Sequence, residues 1–398
     1  MSSVNFLEKL LDGVEVEWTS LGDVTKVLRG SRLTKKQLSD TEKYPVFHGG
    51  LDPLGFYGYN NRPSNTVMII NVGASAGTVG YSALDFWSSD GCYCIEHTEL
   101  INNRFLYYFL IGYQHFLRSR VRYAGIPTLD AIVVEKILIP IPCPDNPKRS
   151  LEIQAEIVRI LDTFTELTAE LTAELTARKK QYNYYRDQLL TFEENIAHLP
   201  MGHESVGEFI RGGGLQKKDF TETGVGCIHY GQIYTYYGTY ADKTKTCVSK
   251  EFFKKARKAK SGDLIIATTS ENDEDVCKAV AWIGNEEIAV SSDACIYRHN
   301  LNPKYVSYFF QTEQFQNQKR KYITGTKVRR VNADDLAKII IPIPSDTEQA
   351  RIVSILDKFD SLTSSITEGL PREIELRQKQ YEYYRNMLFD FPISEVKL

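Results

Sequence analysis

Residues 154–164 read QAEIVRILDTF and residues 349–359 read QARIVSILDKF, so that 8 of 11 positions are identical. Each stretch follows a related exit sequence, which is KILIPIP at 136–142 and KIIIPIP at 338–344. Two matches in the same order, at a separation of roughly 200 residues, indicate that the chain contains an internal duplication.

A third match extends the duplication. Residues 178–192 read RKKQYNYYRDQLLTF and residues 377–391 read RQKQYEYYRNMLFDF, with 9 of 15 positions identical. Fainter matches precede these blocks in each copy, such as RGSRLTKKQL from Arg29 with RGGGLQKKDF from Arg211. Chance does not produce three ordered matches of this kind, so the chain is interpreted as two copies of one unit.

The matched blocks predict long helices. From Ile157 to Leu175, apolar residues recur at intervals of three and four, which is the pattern of an amphipathic helix. The repeat TAELTAEL at 168–175 consists largely of good helix formers, and neither glycine nor proline interrupts it. Residues from about 152 to 193 are therefore predicted to form one helix of roughly 60 Å. The second copy has the same stripe, but Gly369-Leu370-Pro371 predicts a kink or a stop there.

The segments between the helices predict mixed domains. Short β-branched runs such as TVMIINVG and DLIIATTS are separated by glycine and are typical of strands. The predicted fold class is α+β, with two mixed α/β domains in a pseudo-two-fold repeat, separated by two long helices. An intramolecular antiparallel coiled coil of these helices is favoured over two helices that lie separately on their own domains. The predicted domains are residues 1–143 and 198–344, and the predicted helical spacers are residues 144–197 and 345–398.

Composition sets the broad class. The chain has 398 residues, 42% hydrophobic residues and a net charge of −3. No apolar run approaches the length of about 20 residues that crosses a bilayer, and no signal peptide is evident. We therefore expect no membrane contact and a cytoplasmic location.

The seven cysteines form an odd set without a CxxC pair, so free thiols are expected. The weakly acidic total conceals basic runs at 254–260 and 319–330.

The sequence contains no recognisable catalytic motif. The sequence lacks GxGxxG after a strand, and Gly212-Gly213-Gly214 before Lys217 fails the GxxxxGK spacing. The Asn-Pro-Pro-aromatic motif of adenine methyltransferases is absent, and Asn146-Pro147 and Asn302-Pro303 are interpreted as turns. The histidines are scattered through the sequence, so no metal site is expected. Residues 273–275 are interpreted as a solvated acidic loop. We therefore expect this chain to be non-catalytic and to bind no cofactor or metal.

Cations beside an aromatic residue and a glycine occur in both copies, and such groups suit phosphate anchoring and insertion of a side chain into a groove. Arg118, Arg120 and Arg122 precede Tyr123 and Gly125, and the run from Lys319 to Lys321 precedes Tyr322 and Gly325. A solvated helix end is the alternative for any single residue. The candidate DNA-binding residues are Arg29, Lys35, Lys36, His48, Arg118, Arg120, Arg122 and Tyr123 in the first copy, and Arg211, Lys217, Lys218, His229, Tyr230, Arg320, Lys321, Tyr322, Lys327, Arg329 and Arg330 in the second.

The layout of domain, helix, domain and helix, with IPIP before each helix, resembles the specificity subunits of type I restriction–modification systems. The sequences RKKQYNYYRDQLL and REIELRQKQYEYYR, with the tandem TAEL, are similar to the IC branch of that family. The resemblance implies two target-recognition domains, each of which contacts one half of a split, asymmetric sequence in double-stranded DNA. It also implies helices that set the spacer and dock two methylation subunits, which carry S-adenosylmethionine. Restriction subunits that use ATP and magnesium complete the implied complex.

A matched aromatic and arginine pattern predicts the partner-subunit interface. Tyr182, Tyr185 and Arg186 in the first helix correspond to Tyr381, Tyr384 and Arg385 in the second. Residues of these types at one helical turn's spacing are enriched at binding hot spots. Packing between the two helices is the alternative.

Two further interpretations stay open. One is a scaffold that holds partner subunits without contacting DNA bases, and the other is the specificity part of a fused DNA methyltransferase. The start at Met1 and the polar C-terminal tail are expected to be native, which disfavours the fused enzyme. The bases recognised and the length of the spacer do not follow from the sequence.

Overall fold

The computed structural model describes residues 4–193, 195–364 and 368–392. The chain divides into two compact units. Unit 1 contains residues 1–170 and 375–398, and unit 2 contains residues 171–374. Both mix helices with sheets, so the predicted α+β fold class is confirmed. The division into the four predicted segments, 1–143, 144–197, 198–344 and 345–398, stays a prediction.

Unit 1 is built around an antiparallel sheet with the order β2-β8-β5-β6, beside a smaller sheet with the order β4-β3-β7. Every residue of β5 is buried, as its β-branched run predicts. The strands are β1 (Val16–Ser20), β2 (Val27–Arg29), β3 (Tyr44–Phe47), β4 (Gly55–Tyr57), β5 (Thr66–Ile70), β6 (Val79–Ser82), β7 (Trp87–Ser88), β8 (Cys92–Ile95) and β9 (Leu138–Pro142). The helices that precede the long helix are α1 (Val4–Leu11), α2 (Leu21–Val24), α3 (Asn103–Gly112), α4 (Gln114–Ser119) and α5 (Ala131–Glu135).

The long helix α6 runs without interruption over Pro147–Leu189, so the predicted helix is confirmed, with both an earlier start and an earlier end. Its N-terminus is fixed by Asn146, whose side-chain oxygen accepts a hydrogen bond from the backbone N–H of Arg149 at 3.1 Å. Asn302 likewise accepts from two backbone N–H groups of the helix that begins at Pro303. The interpretation of both Asn-Pro pairs as turns was wrong, because asparagine caps a helix well and proline fits its first turn.

Unit 2 contains two five-stranded sheets, with the orders β11-β21-β17-β19-β14 and β12-β15-β13-β20-β16. Its strands are β10 (Ala197–Pro200), β11 (Gly207–Arg211), β12 (Phe220–Thr221), β13 (Val225–Ile228), β14 (Tyr240–Ala241), β15 (Thr246–Val248), β16 (Lys258–Ala259), β17 (Leu264–Ala267), β18 (Thr269–Ser270), β19 (Ala279–Trp282), β20 (Ile288–Val290), β21 (Ala294–His299), β22 (Arg329–Arg330) and β23 (Ile340–Ile343). Its shorter helices are α7 (Tyr230–Thr235), α8 (Lys250–Lys255), α9 (Pro303–Phe309), α10 (Glu313–Lys319) and α11 (Ala333–Leu336).

The duplicated IPIP segments form equivalent two-stranded ribbons. In unit 1, β9 pairs antiparallel with β1, and in unit 2, β23 pairs antiparallel with β10. Prolines lack the N–H that a strand with two neighbours would need, so a two-stranded ribbon is the kind of sheet that tolerates them. Each ribbon immediately precedes a long helix of its copy.

The C-terminal helical segment is divided into α12 (Asp346–Ser364) and α13 (Gly369–Leu388). Residues 365–367, which precede the predicted interruption at Gly369-Leu370-Pro371, lie outside the described residues. Gly369 has a φ of +79°, and a Cβ there would lie 2.4 Å from the carbonyl oxygen of Ser361. Glycine is therefore required where the chain resumes as a helix, which agrees with the predicted break.

Equivalent aromatic contacts join the long helices within each unit. In unit 1, Phe164 of α6 stacks on Tyr384 of α13, with ring centroids 5.1 Å apart. In unit 2, Phe359 of α12 stacks on Tyr185 of α6, with centroids 5.9 Å apart. The early part of α6 thus contacts the later C-terminal helix and its late part contacts the earlier one. The antiparallel coiled coil of the two long helices stays a prediction.

Two equivalent clusters attach a short helix to a long one. In the Asp162 cluster of unit 1, the carboxylate accepts hydrogen bonds from Tyr108 Oη at 2.5 Å and Arg104 Nε at 2.9 Å. In the Asp357 cluster of unit 2, the carboxylate accepts from Tyr308 Oη at 2.7 Å and Lys304 Nζ at 2.7 Å. Burial, together with the hydrogen bond to the aspartate, raises the pKa of both tyrosines. Each phenol therefore stays protonated and donates.

We expect Asp162→Asn to lower the free energy of unfolding of unit 1 by about 1–3 kcal/mol, because Arg104 loses a charge-assisted bond. Hydrogen exchange should show the added exposure in α3, whereas the matched variant Asp357→Asn should affect α9. The control is Glu156→Gln, since the Glu156–Arg159 pair is exposed and such pairs contribute little. Equal effects of Asp162→Asn and Glu156→Gln on α3 would contradict this role.

Two further observations concern membrane-spanning helices and the cysteines. Among residues 4–193, 195–364 and 368–392, no helix is long and apolar enough to cross a membrane. The seven cysteines all lie within these ranges and are free, as expected.

Candidate nucleic-acid interface

Each unit has the same close approach between an Arg-Gly pair and a Ser-Ser-Asp turn, which we call the Arg-Gly corner. In unit 1, Arg29 ends β2, and a Cβ on Gly30 would lie 2.2 Å from the carbonyl oxygen of Ser88. In unit 2, Arg211 ends β11, and a Cβ on Gly212 would lie 1.9 Å from the carbonyl oxygen of Ser291. Only glycine permits this contact, so each corner presents its arginine next to a fixed polar turn.

The unit 1 corner holds several polar groups. Arg29 is exposed, and its Nε donates to the backbone oxygen of Asp90 at 3.1 Å. Half-buried His48 lies with Nδ1 3.4 Å from the Asp90 carboxylate. Arg62, which the sequence analysis missed, donates to the backbone oxygen of Arg29 at 3.2 Å. No copy of Arg62 was matched in the second repeat, so the duplication gave no signal for it.

The unit 2 corner opens into a cavity of about 280 Å³ that is lined by both polar and apolar side chains. The cavity brings together Arg211 and Arg330, two candidate residues that are far apart in the sequence. Asp293 and Thr324 also line it, so the cavity offers both donors and acceptors. Such a mixture suits the edge of a nucleic-acid base, which carries its own pattern of donors and acceptors.

The buried ring of His229 lies close to this corner. Burial lowers the pKa of His229, and the nearby Lys217 ammonium lowers it further. The ring is therefore neutral near pH 7. Its Nδ1 accepts a hydrogen bond from the backbone N–H of Gly231 at 3.3 Å, which leaves Nε2 as the protonated nitrogen. Half-buried Tyr230 packs beside it, with ring centroids 4.6 Å apart.

Two equivalent hairpin loops lie next to the ends of central strands. We call residues 122–128 loop L1 and residues 324–330 loop L2. Arg122 and Thr128 exchange backbone hydrogen bonds across L1, and Thr324 and Arg330 do so across L2. The glycine inside each loop has positive φ, +91° at Gly125 and +88° at Gly325. The cations before these loops match between the two copies, but the hairpins were not predicted from the sequence.

The candidate cations around L1 are exposed. Arg118 donates to Thr78 at 3.1 Å, Arg120 lies over the ring of Phe116, and Arg122 pairs with Asp130 at 2.7 Å. All three residues are exposed and are therefore accessible to an anion. Tyr123 follows them and is 73% exposed.

Around L2, the candidate residues differ in exposure. Arg320, Lys321 and Lys327 are exposed, whereas Tyr322 is half-buried against the unit 2 core. Arg329 pairs with Asp273 at 2.8 Å, so its positive charge is already partly neutralised. The acidic segment 273–275 is exposed, as expected.

Lys319 is a correction to the basic run of the sequence analysis. Its side chain is fully buried, and Nζ donates to the carbonyl oxygens of Glu274 and Val276, both at 2.9 Å. Burial lowers the pKa of Lys319. This lysine holds the segment before β19 and is not free to contact phosphates, because a folded interior and not solvent surrounds its ammonium group.

The paired lysines occupy matching short 3₁₀ turns. Lys35 and Lys36 are exposed in the turn Lys35–Gln37, and Lys217 and Lys218 are exposed in the turn Lys217–Asp219. In each turn, the side chain of the third residue accepts a hydrogen bond from the backbone N–H that precedes the turn. The repeat match therefore corresponds to a common local structure.

The predicted partner interface contains both buried and exposed side chains. Tyr182 is 7% exposed and donates to Gln311, and Arg186 is 8% exposed, so both contribute to packing inside unit 2. Tyr185 is 43% exposed. On α13, Tyr381, Tyr384 and Arg385 are half-buried within unit 1. The repeat-equivalent Tyr184 and Tyr383, 61% and 58% exposed, were missed although their positions match.

Comparisons with known proteins agree with this duplicated architecture. The family described as type I restriction modification DNA specificity domain matches residues 13–178 and 204–376. The chain is 36% identical to the EcoR124I/EcoR124II specificity subunit of Escherichia coli over 99% of both chains. It is 33% identical to a putative type I restriction enzyme specificity subunit of Haemophilus influenzae, over 97% of this chain and 98% of the relative.

Solved structures show the same fold at low sequence identity. The S subunit of a type I restriction–modification system from M. genitalium gives a TM-score of 0.57 at 15% identity, covering 96% of this chain and 98% of that one. A chain from a study of assembly of the type I R-M system gives 0.59 at 14% identity, covering 94% and 97%. The family match on both copies and the full-length relatives establish the family: the chain belongs to the specificity subunits of type I restriction–modification systems.

Proposed function

We propose that this subunit selects the DNA sequence for its complex, with each unit contacting one half of a split, asymmetric target and with no catalysis by the chain itself. The observation that carries the proposal is the duplicated pairing of an Arg-Gly corner with a cation-flanked hairpin loop. The backbone of these elements is shared, while the side chains at the loop tips differ. Recognition of two different half-sites requires a common backbone that carries different side chains at the loop tips.

We further propose the partners that the family implies. They are double-stranded DNA, two methylation subunits that use S-adenosylmethionine, and restriction subunits that use ATP and magnesium. The proposal places these cofactors on the other subunits. Support for an assembly comes from the matched, exposed Tyr184 and Tyr383 and from Tyr185 on the long helices. The continuous helix α6 supports a role as the spacer between half-sites.

The test is an exchange of residues 1–136 for the equivalent segment of a relative with a different target. Methylome sequencing of a host that expresses the hybrid with its partner subunits should show one altered half-site, while the other half-site and the gap stay unchanged. The reciprocal exchange of residues 198–337 is the matched control and should alter only the other half. A hybrid that changes both halves or the gap would contradict independent reading units.

Measurements on the purified chain alone distinguish the two remaining alternatives, the fused methyltransferase and the scaffold. Measurable methyl transfer without partner subunits would support the fused methyltransferase. A scaffold that does not contact DNA would show no salt-dependent binding to duplex DNA, whereas phosphate contacts make affinity fall steeply as salt rises. We expect salt-dependent binding and no methylation, cleavage or ATP hydrolysis.

A further inference from the structure

The tip of L1 presents two large apolar side chains to solvent. Tyr123 is 73% exposed and Ile126 is 71% exposed. Burial of an isoleucine side chain contributes about 1.5–3 kcal/mol, so this exposure forgoes a stabilising contact in the free chain. The exposed position of these two side chains is explained if a partner surface covers the tip of L1.

The backbone of L1 holds these side chains in place. Arg122 N donates to Thr128 O at 2.8 Å, and Thr128 N donates back at 3.0 Å. Gly73 N donates to Pro127 O at 2.9 Å, which ties the loop to the end of β5. The hydroxyl of Thr128 also donates to Ile126 O at 2.9 Å. A loop that is closed before binding loses little conformational entropy when it binds.

The charges beside the tip indicate the kind of surface that it fits. Arg118, Arg120 and Arg122 are exposed and precede the tip in sequence. An apolar tip preceded by guanidinium groups is complementary to a DNA major groove, where phosphates border the groove and thymine methyl groups lie on its floor. The methyl group is absent from the minor groove, so the proposed contact lies in the major groove.

Loop L2 provides an internal comparison. It has the same backbone closure, with hydrogen bonds of 2.9 Å in both directions between Thr324 and Arg330. Its tip, however, carries exposed Lys327 beside Val328, which is 45% exposed. Lysine donates to the O6 and N7 acceptors of guanine and offers no large apolar surface at its end. The tips of L1 and L2 therefore suit different bases, although the two loops share the same backbone closure.

We propose that L1 and L2 determine base specificity in their units. Ile126, with Tyr123, contacts the 5-methyl group of a thymine in the half-site bound by unit 1, and Lys327 contacts a guanine in the other half-site. This inference rests on the proposed function and adds to it the side chains that choose the base and the chemical group that they contact.

The first test uses the full chain with its partner subunits and the variant Ile126→Ala. Methylome sequencing should show that discrimination at one thymine of a single half-site falls about tenfold, while the other half-site stays unchanged. The matched control is Ile132→Ala, because Ile132 is also apolar and 52% exposed in the same unit but lies in α5, outside the loop. Lys327→Ala should instead relax one guanine of the other half-site.

The second test removes only the methyl group. Duplexes with deoxyuridine in place of each thymine should bind the wild-type complex about tenfold more weakly at one position, whereas Ile126→Ala should bind both duplexes equally. The loop proposal is overturned if Ile126→Ala leaves every base preference unchanged, if the half-site lacks thymine, or if the loop is needed only for binding anionic vesicles. In each case, an altered half-site after exchange of residues 1–136 would still support the proposed function.

Discussion

A chain with one additional Thr-Ala-Glu-Leu after Leu175 is expected to direct methylation, together with its partner subunits, to a target whose gap is one base pair longer. Leu175 lies in α6 between Phe164, which packs in unit 1, and Tyr185, which packs in unit 2. Four residues add about 6 Å of helix, and DNA rises about 3.4 Å per base pair. Because the helices need not lie parallel to the duplex, one base pair is expected and not two.

The insertion also tests helical register. Four residues turn the helix by about 400°, which is only some 40° beyond a full turn, so the apolar face nearly keeps its orientation. Insertion of a single alanine at the same place turns the helix by about 100° and should instead impair assembly of the complex. Methylome sequencing gives the gap directly. An unchanged gap with TAEL inserted, or altered bases in either half-site, would show that α6 does not set the spacing.

Gly212→Ala is expected to disrupt recognition by unit 2, with a loss of about 1–3 kcal/mol in its free energy of unfolding. The new Cβ would lie 1.9 Å from the carbonyl oxygen of Ser291 and 2.8 Å from that of Ala294. Both are backbone atoms, so the Arg-Gly corner must open and carry Arg211 away from its position. Binding to a full target should weaken strongly, while binding to a duplex with only the first half-site should persist.

Gly214→Ala is the matched control from the same run of three glycines. A Cβ on Gly214 would have no heavy atom within 4 Å, and its φ is not positive. This variant should keep both its stability in urea and its affinity for the full target. If the two variants behave alike, the close approach at Gly212 does not hold the corner.

The sequence predicted the parts of the fold that depend on local pattern. The stripe from Ile157 to Leu175 identified α6, since helix formation follows from residues three and four apart. The pattern could not show that Lys319 is buried, because that depends on distant segments which fold around it. It also could not place the C-terminal residues Leu388 and Phe391 in the core of unit 1.

The candidate site was predictable where the duplication carried a signal. Arg29 and Arg211 were matched through the repeat, and both lie at an Arg-Gly corner. Arg62 and Ile126 had no matched residue in the other copy, so only the folded corner and the closed loop single them out. The composition alone, with its net charge of −3, did not indicate any of these positions.

The discontinuity of unit 1 has a consequence for synthesis on the ribosome. Phe389 and Phe391 pack against Phe105, with ring centroids 5.0 and 6.3 Å away, and Trp18 donates to the backbone of Pro392. These residues are translated only after the whole of unit 2. At roughly 5–20 residues per second, the nascent first unit waits about 10–40 s for its last apolar contacts. The unit made first is therefore completed last, and chaperones that bind incompletely covered apolar residues would act during that interval.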